Sequence, residues 1–160
     1  MSNSTRDEVE AAFRRYWQIG NVEERWSDWA DCFTEDVVYV ERIYGTMHGR
    51  ETVRAWITST MEKHPHVHGV LRWYVIEAER VTYGMDNRYY SPVGPDAPPL
   101  DFAGVSQIVY AGDGLFRYEE DFWDLNGAKE AHARFEALRT EHGDAHIGDS
   151  PERQAARRLW

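Results

Sequence analysis

Three short stretches of this chain carry side chains able to move protons. In FTEDVVYVERIYG, residues 33–45, Tyr39 and Glu41 stand two apart in an extended run and so project from one face of a strand. A phenol beside a carboxylate can relay a proton or hold a water. Late in the chain, YEEDFWD at 118–124 gathers Glu119, Glu120, Asp121 and Asp124. Between them, His64, His66 and His68 alternate. Pro65 interrupts the geometry of that triplet and no acidic partner lies near it in sequence, so the residues favour an acid/base or core role for His66 over metal binding. A carboxylate in an apolar hollow has its pKa raised by lost hydration, which is the condition for a base working near neutral pH. The competing reading for Asp121 is membership of a solvated acidic cluster, and for Glu41 a surface ion pair. Strict alternation places Phe116, Tyr118 and Phe122 on the face opposite Asp121, so either that aromatic face meets a partner subunit or a bulge changes the phase.

Those residues need a scaffold. Residues 7–19 put Val9, Ala12, Phe13, Tyr16 and Trp17 on one stripe at helical spacing, with Ser4 or Thr5 available as a cap. Gly20-Asn21 interrupts, and Val22, Trp26, Trp29, Ala30 and Phe33 repeat the periodicity to about residue 33, predicting a helical hairpin. A strand over about 36–43 leads through a loop bracketed by Gly45 and Gly49 to a third helix over about 50–63. His64-Pro65 ends that helix, because proline disfavours helical geometry in the residue before it. Val, Tyr and Trp then dominate, predicting strands over 67–78 and 81–91, and a loop at 92–99 carries four prolines. Strands at about 101–111 and 115–124 share a tight Ala111-Gly112-Asp113-Gly114 hairpin, and a last helix runs over 128–142. Three helices ahead of antiparallel strands predict an α+β domain over residues 1–142, with helices on one face of a strongly curved, mainly antiparallel sheet. The tail at 143–160 is polar and reads as disordered or as a lid over a pocket mouth.

At 160 residues the chain suits one core. Its 18 Lys and Arg against 28 Asp and Glu give a net charge of −10, which repels phosphate backbones and anionic lipid and argues against nucleic acid. No apolar run approaches the roughly 18 residues that a membrane span needs. MSNSTRDEVE lacks the layout of a signal peptide, so the expected location is cytoplasmic. The single Cys32 reads as a small buried thiol. Seven Trp, nine Tyr and six Phe are enough to line a pocket as well as a core, and a hydrophobic, oxygenated ligand suits such walls. Tyr16, Trp17 and Trp73 are the wall candidates. No G-x-G-x-x-G, P-loop, H-E-x-x-H, G-x-S-x-G or cysteine pair occurs to support a nucleotide, zinc-protease or serine-hydrolase reading.

The order of elements, with FTEDVVYVERIYGTMHGRETVRAW and YAGDGLFRYEEDFWD, resembles the NTF2-like superfamily, and its SnoaL-like branch in particular, over about residues 7–138. That resemblance implies a cone-shaped fold and leaves the reaction open, since the superfamily hosts isomerases, dehydratases, polyketide cyclases, epoxide hydrolases and non-enzymes. Likeness to limonene-1,2-epoxide hydrolase implies a water-activating Asp121 and a positioning hydroxyl on Tyr39. Glu41 then stands where that hydrolase has asparagine, and Met85 and Asn87 where it has an Arg-x-Asp pair. Likeness to ketosteroid isomerase implies a general base at Glu41, with Ser106 near the place of the oxyanion-hole aspartate. The segment from His66 to Trp73 is similar to one in scytalone dehydratase and implies proton transfer by His66, while the late-strand aspartate of SnoaL-type cyclases again falls on Asp121. The implied catalytic set is Asp121, Glu41, His66 and Tyr39, with Tyr16, Trp17, Trp73 and Asn87 touching substrate, no metal or cofactor, and a homodimer formed on the open side of the sheet. The expected function is acid/base isomerisation, dehydration or cyclisation of a polyketide-, steroid- or terpenoid-like molecule. Epoxide hydrolysis in the same pocket and a non-catalytic binding module are the alternatives.

Overall fold

A computed structural model describes residues 4–144. Helix α1 (Arg6–Trp17) starts at Thr5, whose hydroxyl accepts from Glu8 N while the Glu8 carboxylate accepts from Thr5 N, a reciprocal capping box. Its buried stripe is the one the spacing predicts: Val9, Ala12, Phe13, Tyr16 and Trp17. The expected break at Gly20-Asn21 is instead a π turn over Gln18–Val22, in which Glu23 N reaches back to Gln18 O at 2.9 Å. Glu24, at φ 55°, then ends the helical path. The second helix is accordingly short: α2 (Trp26–Trp29) runs into a 3₁₀ turn at Ala30–Cys32, and Phe33 already belongs to a strand. Its apolar spacing reflects burial more than a continuous helix.

The sheet comprises β1 (Phe33–Glu41), β2 (Gly45–His48), β3 (Val67–Glu77), β4 (Arg80–Tyr89), β5 (Leu100–Gly112) and β6 (Leu115–Trp123), in the order β2-β1-β6-β5-β4-β3. All neighbours are antiparallel except β1 and β6, which run parallel at the point where the N-terminal and C-terminal parts of the chain meet. Strand β2 occupies the stretch expected to be a loop, because four residues are too few to show an alternation of their own. Between β5 and β6, Asp113 and Gly114 carry φ of 54° and 77°, the paired positive values of a tight hairpin. Helix α3 (Arg50–Lys63) packs beside α2 and β1, and α4 (Leu125–His142) lies on β5. It begins three residues before the expected start because Asp124 caps it, accepting from Asn126 N and Gly127 N. No helix among the described residues is long and apolar enough to cross a membrane. The expectation for the C-terminal tail falls, beyond its first two residues, outside the described residues.

Two bulges set which side chains face the helices. On β6, Phe116 pairs with Tyr110 and Tyr118 with Val109, so Arg117 is an extra residue without a partner across the ladder. Phe116 and Glu119 are both buried as a result, and Asp121 follows Glu119 inward. Tyr118 and Phe122 turn to the outer face, where Arg42 covers the Phe122 ring at 4.0 Å. On β3 the register slips between Leu71 and Trp73, leaving Arg72 as the extra residue.

The helices approach the sheet closely at the π turn. A Cβ on Gly20 would lie 2.6 Å from Trp29 Cδ1 and 2.9 Å from Trp29 Nε1, and Trp29 is itself buried against Phe33. Gly20→Ala therefore has to displace a packed indole, and we expect it to destabilise the fold by about 1–3 kcal/mol in urea unfolding. An unchanged midpoint would show that the Trp29 packing is loose.

Candidate active site

Register brings the polar residues together. Tyr39 on β1 is level with Glu119 on β6, and one row along, Tyr83 on β4, Ser106 on β5 and Asp121 on β6 stand side by side. Residues directly opposite in neighbouring strands share a face, so these five side chains and Tyr16 from α1 converge under the helices. Three phenols meet at one oxygen: Tyr16 donates to Glu119 Oε1 at 2.7 Å, and the Tyr39 and Tyr83 hydroxyls lie 3.3 Å from it. Tyr16 and Tyr83 are also 2.9 Å apart at their hydroxyls. The Tyr39 hydroxyl donates more closely to Asp121 Oδ2 at 2.6 Å, and Ser106 donates to Asp121 Oδ1 at 2.6 Å.

Glu119 is 1% exposed, and its second oxygen, Oε2, is buried with no hydrogen-bond partner. Burial pushes its pKa well above the usual carboxylate range, the nearby Asp121 charge adds to that, and the three phenols pull the other way. Burial also raises Asp121, but Ser106 and Tyr39 hold its charged form and restrain the rise. The pair thus carries its first proton on Glu119 and keeps Asp121 as the group that ionises. Burial raises Tyr16, Tyr39 and Tyr83 as well, with the acidic neighbours contributing, so all three act as neutral donors.

Glu41 is differently placed. It is 5% exposed and lies in the cavity wall, yet Oε2 accepts from Ile43 N at 2.6 Å and Tyr44 N at 2.8 Å, while Oε1 accepts from Trp123 Nε1 at 2.6 Å. Its acceptors are engaged in closing the β1–β2 turn and holding the indole.

Asp121, Glu41, Tyr39, Tyr16 and Asn87 all line one cavity of about 340 Å³ between the helices and the concave sheet. Its remaining walls are largely aromatic, with Trp26, Trp56 and Phe102 prominent, and no lysine or arginine lines it among the described residues. Three expected site residues stand elsewhere. His66 packs its ring on Phe135 of α4 at 5.2 Å, because α4 folds over this end of the sheet. Trp17 is wholly buried in the core, its ring 5.8 Å from that of Tyr83. Trp73 is 48% exposed and lies across Gly84, because the bulge at Arg72 turns it off the face that it would otherwise share with Gly69 and Leu71. Conversely, Glu119, Tyr83, Ser106 and Trp123 belong to the cluster although their types alone did not single them out. The only sequence signal for Glu119 was its place in an acidic run whose phase a bulge could alter.

A SnoaL-like domain model matches residues 9–119, more than half of the chain. This protein belongs to the SnoaL-like domain family. No curated protein matches it in sequence. Among solved structures, a Jannaschia sp. CCS1 protein described as a SnoaL-like polyketide cyclase aligns with a TM-score of 0.62 at 18% identity, covering 82% of this chain and 96% of that one. A Mycobacterium tuberculosis LEH-like epoxide hydrolase aligns with a TM-score of 0.62 at 14% identity, covering 84% and 96%. SalBIII, an epoxide hydrolase/cyclase-like enzyme with a role in pyran ring formation in the polyether salinomycin, aligns at 0.61 and 14% identity over 76% and 94%. At such identities the likeness establishes the NTF2-like cone fold and nothing finer. The SnoaL-like domains so related include cyclases and epoxide hydrolases.

The buried proton has a consequence for stability. The folded protein holds the Glu119 proton more tightly than the unfolded chain does, so its stabilisation is complete below the ordinary carboxyl value of 4.5 and is lost as pH climbs towards the raised folded value. Glu119→Gln keeps a carbonyl for the phenols and a neutral group at the unpartnered position. We expect the variant to gain on the natural protein as pH rises from 5 to 8, by up to about 1.4 kcal/mol per pH unit, in urea unfolding at a series of pH values. A constant difference would mean that Glu119 is ionised throughout.

Proposed function

We propose that this protein is an acid/base enzyme acting on a neutral, hydrophobic, oxygenated small molecule by isomerisation, dehydration or cyclisation, without a cofactor, and that Asp121 is the group that exchanges the proton. The observation that carries this reading is the state of Asp121: a carboxylate in the wall of an apolar cavity, with a raised pKa and each oxygen oriented by one hydroxyl, from Ser106 and Tyr39. Such a group is a base strong enough to accept a proton from carbon beside a carbonyl, or from an attacking hydroxyl, in a site shielded from bulk water. Tyr39 links it to Glu119. When Asp121 is protonated, the phenol can turn its proton towards Glu119 Oε1, 3.3 Å away, so the network adjusts without moving a heavy atom. Among the described residues the wall holds no lysine or arginine, which favours a neutral molecule over a carboxylate or phosphate ester.

Epoxide opening is a second reading of the same site. It is favoured by the Tyr39 hydroxyl at 2.6 Å from Asp121, where a water could be held by the phenol oxygen and deprotonated by the carboxylate. The roles of Glu41 and Trp123 are the same in both readings: they fix the wall beside Asp121.

A panel of enolisable ketones followed for deuterium exchange by NMR, and a panel of epoxides followed for diol, test the reading together. With the compound that turns over, Asp121→Asn should lower kcat by about 10²–10⁴-fold while ligand binding is retained. Turnover should rise with pH through the titration of Asp121, at a value above that of an ordinary aspartate, because the ionised form is the base. Full activity in Asp121→Asn would refute the assignment and leave the cavity as a binding site.

A further inference from the structure

The cavity has a second polar feature, well away from Asp121. Asn21 is 9% exposed, lies in the π turn and lines the cavity, and its side chain makes no hydrogen bond to the protein among the described residues. Its amide rests on the sheet at Gly69: a Cβ built there would lie 2.2 Å from Asn21 Oδ1. Gly69 on β3 is directly opposite Asn87 on β4, so the two amides stand over adjacent strands on one face. Asn87 also lines the cavity, makes no side-chain hydrogen bond to the protein among the described residues, and leans over a second glycine, with Nδ2 3.2 Å from where a Cβ on Gly104 would sit. Two glycines have cleared the floor, and two amides occupy it.

Both amides open onto the cavity, so their hydrogen-bonding capacity is left to whatever fills it. Asn21 lies in the π turn beside buried Ile19, Gly20 and Val22, a polar side chain among apolar neighbours. The chemistry of an amide pair is specific. Each presents a carbonyl acceptor and an NH₂ donor and neither carries charge, which suits a hydroxyl or carbonyl oxygen. Along β4, Asn87 is four residues from Tyr83, which shares a row with Ser106 and Asp121; at about 3.3 Å per residue this is about 13 Å, shortened by the lean of Asn87 towards Gly104.

We propose that Asn21 and Asn87 form an oxygen-binding subsite, so that the ligand of this cavity is an apolar ring system with two oxygen functions, one at Asp121 and a neutral hydroxyl or carbonyl held about two rows along the sheet. The substrate half of this inference rests on the proton-transfer reading above; the subsite itself does not.

The test is binding by calorimetry of biphenyl, 4-phenylphenol and the 3,3′-, 3,4′- and 4,4′-dihydroxybiphenyls, which move the second oxygen in steps. For the natural protein, the best diol should bind about tenfold more tightly than 4-phenylphenol. In Asn21→Leu and in Asn87→Leu that gain should fall below about twofold. Asn21→Ser and Asn87→Ser, which are smaller, serve if either leucine variant fails to fold, with the same loss expected. In Asp121→Asn the gain should persist. The inference is overturned if no diol gains over the monophenol, if none of the compounds binds, if the gain survives both asparagine replacements, or if it vanishes only with Asp121. Because the readout is affinity, loss of deuterium exchange in Asp121→Asn would leave this result intact, and failure here would leave the role of Asp121 to the exchange experiment.

Discussion

A carboxyl group has been placed in the interior with no lysine or arginine in the cavity wall among the described residues, and the rest of the site follows from how that is tolerated. Glu119 has three phenols on one oxygen and nothing on the other. Ionised, it would be a buried charge beside a second carboxylate, which is prohibitive without a counter-ion. Protonated, it is an ordinary polar group with donors to spare. Its neutrality lets Asp121 carry the negative charge, since two such groups on one strand face cannot both ionise cheaply. The same contact keys the architecture. Tyr16 belongs to α1, Tyr39 to β1 and Tyr83 to β4, so one oxygen on β6 draws the first helix onto three strands of the sheet.

Three carboxyl groups within this small volume have become three different things, and their partners decide which. Glu41 accepts from two backbone amides and an indole, an arrangement that spends its acceptors on holding a turn. Glu119 accepts only from phenols and keeps its proton. Asp121 accepts from two hydroxyls and faces the cavity, which leaves it charged, oriented and open to a ligand. A methylene more or less, as between Glu41 and an aspartate in its place, matters less than this difference in donors. A resemblance that assigns the base by strand position alone can therefore point to Glu41, while the hydrogen bonds favour Asp121.

Much of the fold was legible because it rests on periodicity. The stripe of α1, the β-rich segments after Pro65 and the Asp113-Gly114 hairpin all follow from spacing and turn chemistry. Boundaries moved where a cap or a local twist intervened, at Asp124 and Glu24 for instance. The site was legible only in part, and two bulges account for the difference. Alternation puts Asp121 outside with Phe116 inside, but the extra Arg117 brings both in; its guanidinium is held by Tyr110 O on the neighbouring strand. Alternation puts Trp73 inside with Gly69, and the extra Arg72 turns it out. An arginine in a strand looks the same in sequence whether or not it is bulged, so neither event leaves a local mark. Tyr83 escaped notice, and Ser106 was reached only through the likeness to ketosteroid isomerase, for a related reason: a polar residue in a strand is ordinarily read as facing water, and only the pairing across β4, β5 and β6 aligns them with Asp121.

That pairing also explains why glycine matters to the shape of the cavity. Moving along the concave face from the Asp121 row, the next inward positions on β5 and β3 that reach the cavity are Gly104 and Gly69, where most strands would present a side chain. A sheet gains nothing in stability from glycine in its interior. A sequence selected for the core alone would fill those places with valine or leucine. The vacated floor and the amides above it leave hydrogen-bonding capacity facing the cavity, whereas Glu119 Oε1 is met by the protein's own hydroxyls and Oε2 is buried without a partner. Local rules are broken at both ends of the cavity, by the unpartnered Glu119 Oε2 at one and by interior glycines at 69 and 104 at the other, and such departures are expected where a site has been built.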